Sequence, residues 1–181
     1  MTKTVAGTLA HFLTSTCYDA IPAQAIDHAA MLISSTVASA AMGSTIVSSR
    51  IVRSLLVQRG GVGEAGAWFS DAPRLPVASA ARINALMSDA AASDDSDLRN
   101  ITHPGTTLAA TSLAVAEKTG ASGKEILTAI ALGYEAGGHI NTGVIPGLMW
   151  EKGIHGCVVA IFGGAVATGL LLKLDANQMT N

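Results

Sequence analysis

Charge is what this 181-residue sequence has least of: Lys, Arg, Asp and Glu make up 13% of it, about half the ~25% usual in soluble domains. So apolar a chain does not read as disordered or as an acidic tail. A net charge of −2 offers no basic field for phosphate backbones, so no nucleic-acid partner is expected. Cysteine is nearly missing too. Cys17 and Cys157 make neither a disulfide framework nor a zinc site, which needs four ligands at closer spacing. A reducing, cytoplasmic compartment is the default. The start, Met1-Thr2-Lys3-Thr4-Val5, has no sustained apolar run and does not resemble a secretory leader. The most apolar stretch, Val158 to Leu172, is interrupted by Gly163, Gly164, Thr168 and Gly169. It falls short of the ~20 residues a bilayer span needs and reads as a buried core helix, so no membrane association is expected.

What is present is small and apolar: 49% hydrophobic residues, 32 alanines and 19 glycines. At ~100–200 residues per domain, residues 1–181 form one domain. Helical spacing dominates it. Val5, Leu9, Phe12 and Leu13 mark one face of a first helix; Ile26, Ala30, Ile33 and Val37 stripe a second, entered at Pro22. Ile46, Val47, Ile51, Leu55 and Leu56 belong to a third, ended by Gly60-Gly61. Pro73 and Pro76 bracket a turn before a fourth, from about Val77 to Asp89. His103-Pro104-Gly105 opens a fifth, Ser122-Gly123-Lys124-Glu125 is a capping box for a sixth, and His155-Gly156 opens a seventh. No stretch alternates with period two, so the fold class is all-α. The alanines and glycines imply close helix packing. Asp175 and Gln178 announce one more helix, but the chain stops three residues after Gln178, at Asn181; a cap without its helix suggests the front part of a longer protein. So few charges leave apolar area to be covered by another domain or subunit, and the chain is not expected to be a soluble monomer.

Gly61-Val62-Gly63-Glu64-Ala65-Gly66 spells G-x-G-x-x-G, but Trp68, Pro73 and Pro76 follow and no helix can start there, so it reads as a flexible inter-helix turn and not a nucleotide loop. The polar residues concentrate at Asp94-Asp95-Ser96-Asp97, followed by His103. Three readings fit: a Mg²⁺ site, because hard cations take carboxylate oxygens; a general acid/base site; or a solvated loop. His103 favours the second, because it precedes the first helical residue, where the helix dipole favours a neutral ring. His155 repeats that arrangement, and two helix N-termini with a histidine each would make a carboxylate pocket. His11 and His28 read as surface or packing residues, His139 as ending its helix, and Tyr134 and Trp150 as packing residues.

At these residues the sequence resembles the MmgE/PrpD family, which includes 2-methylcitrate dehydratase and cis-aconitate decarboxylase. Gly63-Glu64-Ala65 through Trp68 and Arg74-Leu75-Pro76 resembles its Gly-Glu-Ala…Trp…Arg-x-Pro segment. Asp94-Asp95-Ser96-Asp97 with Thr102-His103-Pro104 resembles its D-F-D-D-T…T-H-P segment, with Ala92 and Ser93 in place of the first acid and the aromatic. Gly133-Tyr134-Glu135 and Gly153-Ile154-His155 with Leu174-Asp175-Ala176 supply two more pieces. The resemblance implies a helical N-terminal domain, a smaller α+β C-terminal domain lying outside this chain, and a homodimer. It also implies lyase or isomerase chemistry on di- or tricarboxylates with no cofactor and no metal. By position, His103 and His155 match the two catalytic histidines and Asp94 and Asp95 the paired acids. Asp97 is a candidate substitute for the missing acid, and Lys152 a candidate cation for substrate carboxylates.

Overall fold

The computed structural model describes residues 4–99, 101–144, 147–153 and 156–181. Among them there is no strand, only two isolated bridges, and the chain is all-α as its periodicity predicts. Helix α1 (Val5–Ser15) is capped by Thr4, whose hydroxyl accepts the Gly7 N–H at 3.0 Å. Pro22 leads into α2 (Ala23–Gly43), and α3 (Val47–Arg59) stops at Gly60, whose φ of +63° suits a residue without Cβ. Helix α4 (Val77–Ala90) starts behind Pro76, and α5 (Pro104–Thr119) has its proline in the first turn and left-handed Gly120 at its end. The Ser122–Glu125 capping box opens α6 (Gly123–Val144). A short α7 (Gly147–Lys152), α8 (Ala160–Leu171) and α9 (Ala176–Thr180) complete the order. Asp175 and Gln178 form a capping box on α9, so the cap is not without its helix: the five residues Ala176–Thr180 already make the turn it announces, contrary to the reading from sequence.

Two differences concern helix ends. The seventh predicted helix does not open at His155-Gly156: a 3-10 turn, Gly156–Val158, intervenes and α8 begins at Ala160. His139 does not end α6, which continues to Val144; its Nε2 instead lies 3.0 Å from Glu135 one turn back. The G-x-G-x-x-G segment is followed by no helix before Val77, but it is not loose. Leu75 N–H donates to the Ala65 carbonyl at 2.8 Å, and Lys118 pairs with Glu64 at 2.9 Å.

Small residues set the packing distances. A Cβ on Gly133 of α6 would stand 2.9 Å from the Gly163 carbonyl of α8, and the reverse substitution meets the Gly133 carbonyl at the same distance. Helices α6 and α8 thus cross backbone to backbone, with Ala136 and Ala167 fully buried nearby. On the other side, Ile83 and Met87 of α4 are buried against Leu56, Leu75 and Ala40. Between these lies α5, which contributes Leu108 and Val115 to one cluster and Ala114 to the other.

Helix α2 is long and apolar enough to cross a membrane by length and composition; here it packs on α4, and its Thr36, Ser39 and Ala40 are buried. The predicted faces of α1 and α3 are only partly covered. Leu13 and Leu56 are buried, whereas Val5, Phe12, Val47, Ile51 and Leu55 face outward. Periodicity locates a helical face but not what covers it.

Candidate functional site

The acid-rich segment is a tight loop joining α4 to α5. It is entered through Ala92 and left through Ile101, both at positive φ (+48° and +52°), and is pinned where Asp97 and Thr102 exchange backbone hydrogen bonds. That pinning delivers His103 to the start of α5. As N-cap, His103 makes no side-chain bond to its own helix. Asp95 does that work: its Oδ1 accepts the Gly105 N–H at 2.8 Å, satisfying one of the unpaired donors of the first turn.

His103 is held through one ring nitrogen. Its Nδ1 lies 2.6 Å from the Asp95 main-chain carbonyl, 3.3 Å from Ser96 Oγ and 3.5 Å from Asp94 Oδ2. A carbonyl cannot donate, so the closest contact requires the proton on Nδ1. In the neutral ring the lone pair is then on Nε2. That nitrogen makes no hydrogen bond to any described residue, and the side chain is 45% exposed.

The two acids differ in role. The Asp94 side chain, 8% exposed, takes the Thr106 hydroxyl at 3.3 Å, and Thr106 in turn meets Ser88 Oγ. This relay ties the loop to α4 and, through the 2.7 Å bond from Ser39 to the Ser88 carbonyl, to α2. Asp95 also accepts the Tyr134 hydroxyl at 2.7 Å. Burial pushes the Asp95 carboxyl above its usual range, with Asp94 adding to this, while the bonds from Tyr134 and Gly105 and the nearby His103 pull the other way. Burial and the Asp95 carboxylate hold the Tyr134 phenol far above its ordinary value, so it is the donor.

An Asp95→Asn substitution tests that balance. Because folding raises this pKa, ionised Asp95 weighs against the fold, and its stabilising share is lost as pH climbs through the folded value. The stability of the asparagine variant relative to wild type is expected to improve as pH rises above the ordinary Asp value of ~3.9 and to level off once the raised folded value is passed. Urea denaturation of both proteins at several pH values measures it; a constant difference would show that no such cost exists.

Not every predicted residue joins this cluster. Asp97 is engaged with Arg99, its Oδ1 accepting the Arg99 main-chain N–H at 3.1 Å and lying 3.3 Å from its Nε. Lys152 is exposed at the end of α7, and no hydrogen bond or ion pair joins it to Asp94, Asp95 or His103. His155 lies outside the described residues. Tyr134, expected only to pack, is the residue sequence reading missed. The available signal was chemical, since a buried tyrosine hydroxyl needs a partner. Among the described residues no three His, Cys, Asp or Glu side chains converge to hold a metal ion.

Beside the loop runs an open groove of about 470 Å³, walled by His28 of α2, Tyr134 and Glu135 of α6, and Asp95, Ser96 and Arg99. His103 is outside its lining.

The all-α fold thus gathers a histidine, His103, and two acids, Asp94 and Asp95, at the N-terminus of α5. The sequence matches the MmgE/PrpD N-terminal domain over residues 7–181, and the chain belongs to the MmgE/PrpD family. A search of curated proteins finds no match.

Proposed function

We propose that the chain is the proton-transfer side of a lyase acting on a small di- or tricarboxylate: a proton α to a carboxylate is removed and the neighbouring hydroxyl leaves as water, or CO₂ leaves and the carbon it vacates takes a proton. Reprotonation on the opposite face would make the same first step an epimerisation. The observation that carries the reading is His103, with Nδ1 committed to the Asp95 carbonyl at 2.6 Å and Nε2 open. An imidazole so oriented can take a carbon-bound proton through Nε2, while the α5 N-terminus contributes positive potential beside the developing enolate. In this reading His155 is the partner acid, and Lys152 binds a substrate carboxylate.

Charge balance points to a further contributor. The groove beside the loop carries Asp95, Asp97 and Glu135 against Arg99 and His28, a poor host for a polycarboxylate, since buried anions need cationic partners. We assign that role to a second, lysine-bearing domain, in cis or as a separate chain, within a cytoplasmic homodimer.

Exchange in D₂O tests the proposal. With 2-methylcitrate or cis-aconitate as probe, deuterium is expected at the α-carbon when the completing domain is present, and little or none with the 181 residues alone. No exchange in either case would favour a non-catalytic helical assembly module, a reading that the outward-facing apolar side chains of α3 support.

A further inference from the structure

Tyr134 stands 39 residues from Asp95 in sequence, and its hydroxyl ties the acid loop to α6. Its ring packs with the buried cluster of Leu108, Val115 and Ala129, which fixes where the hydroxyl can reach. The carboxylate it meets is held from both sides, Oδ2 by Tyr134 at 2.7 Å and Oδ1 by the Gly105 N–H at 2.8 Å. Space confirms the fit. A Cβ on Gly105 would lie 2.5 Å from Asp95 Oδ1 and 2.7 Å from Tyr134 Oη, so only glycine lets both oxygens close on the helix start.

We propose that Tyr134 is a positioning residue for His103, acting through Asp95. It anchors the residue whose main-chain carbonyl holds the Nδ1 proton, and thereby reserves Nε2 for proton transfer. The Gly105 bond cannot do this alone, because Gly105 and His103 sit on the same helix start and move together. Tyr134 reaches in from α6, a separate element, and so fixes the loop against the domain core. The phenol stays protonated through the neutral range, which keeps the tie in place. The chemical importance of Nε2 rests on the proposed function; the anchoring does not.

The experiment is two-bond ¹H–¹⁵N spectroscopy of histidine-labelled chain at a pH where His103 is neutral. In wild type, His103 is expected to show the Nδ1–H tautomer. In Tyr134→Phe, which keeps the ring and removes the hydroxyl, a several-fold fall in the Nδ1–H to Nε2–H ratio is expected, with the helical circular dichroism retained. A wild-type Nε2–H tautomer overturns the proposal, and so does a variant with the wild-type ratio. If Tyr134→Phe does not fold, Gly105→Ala wedges a methyl between the same two oxygens and must lower the same ratio; an unchanged ratio overturns it. These spectra need no turnover. Failure of the D₂O exchange therefore counts against the proposed function alone; an unchanged ratio in the variants removes Tyr134 and leaves the lyase reading intact, whereas a wild-type Nε2–H tautomer counts against both. Where exchange is present, Tyr134→Phe is expected to lower kcat with KM little changed.

Discussion

Replacing His103 by alanine is expected to slow α-proton exchange by roughly 10²–10⁴-fold, the usual contribution of a positioned general acid or base. The fold should survive, because the ring gives no capping bond to α5 and its side chain is 45% exposed. What the variant loses is the Nδ1 contact to the Asp95 carbonyl at 2.6 Å, about 1 kcal/mol on the ordinary scale for a hydrogen bond. Loss of chemistry and loss of structure are therefore separable in one protein. Measured in a preparation that carries the exchange activity, a thermal midpoint near wild type with a rate down by two orders or more would place His103 at the reacting atoms. Near-normal exchange would remove it from the mechanism. His155→Ala is the companion variant, since the proposal gives that residue the second proton.

The asymmetry between what the sequence reveals and what it hides follows from range. Pro104 fixes a helix start, so local signals alone place His103 at the mouth of α5, and Asp94 and Asp95 lie close enough along the chain to share its loop. Pro76 and Val77 likewise mark the start of α4. Tyr134 reaches Asp95 across 39 residues, and no periodicity encodes that meeting. Gly137-Gly138 reads locally as the end of a helix. In the fold a Cβ on Gly137 would lie 3.3 Å from Gly163 Cα, so this glycine serves the crossing of α6 with α8 and the helix runs on past it. The stripe on α3 misleads for a related reason. Val47, Ile51 and Leu55 have helical spacing and form a helix, yet they lie 60%, 62% and 43% exposed. Spacing reports a face, and only the rest of the chain, or a partner, decides whether that face is covered.

The same distinction sets the sign of one substitution made at two glycines. Gly43 closes α2 where it crosses α4, and a Cβ there would overlap the Met87 carbonyl. Backbone cannot rotate aside as a side chain can, and Met87 is itself fully buried. The helices must separate, which strains the 2.7 Å bond from Ser39 to the Ser88 carbonyl and opens the contact around buried Ala40. Overpacking of this kind costs about 1–3 kcal/mol; the strained buried hydrogen bond adds roughly 1 kcal/mol, and the better helix propensity of alanine returns about 1 kcal/mol. Gly43→Ala is thus expected to destabilise by about 1–3 kcal/mol. Each kcal/mol lowers the midpoint by roughly 2–4 °C in a domain of this size. At Gly138, in the interior of α6, a Cβ meets nothing within 4 Å among the described residues. There the propensity gain stands unopposed, and Gly138→Ala is expected to stabilise by about 0.5–1 kcal/mol. Denaturant titration of the two variants beside wild type reads both signs. Gly43→Ala as stable as wild type would mean that α2 and α4 do not approach at this crossing as closely as the Met87 carbonyl requires.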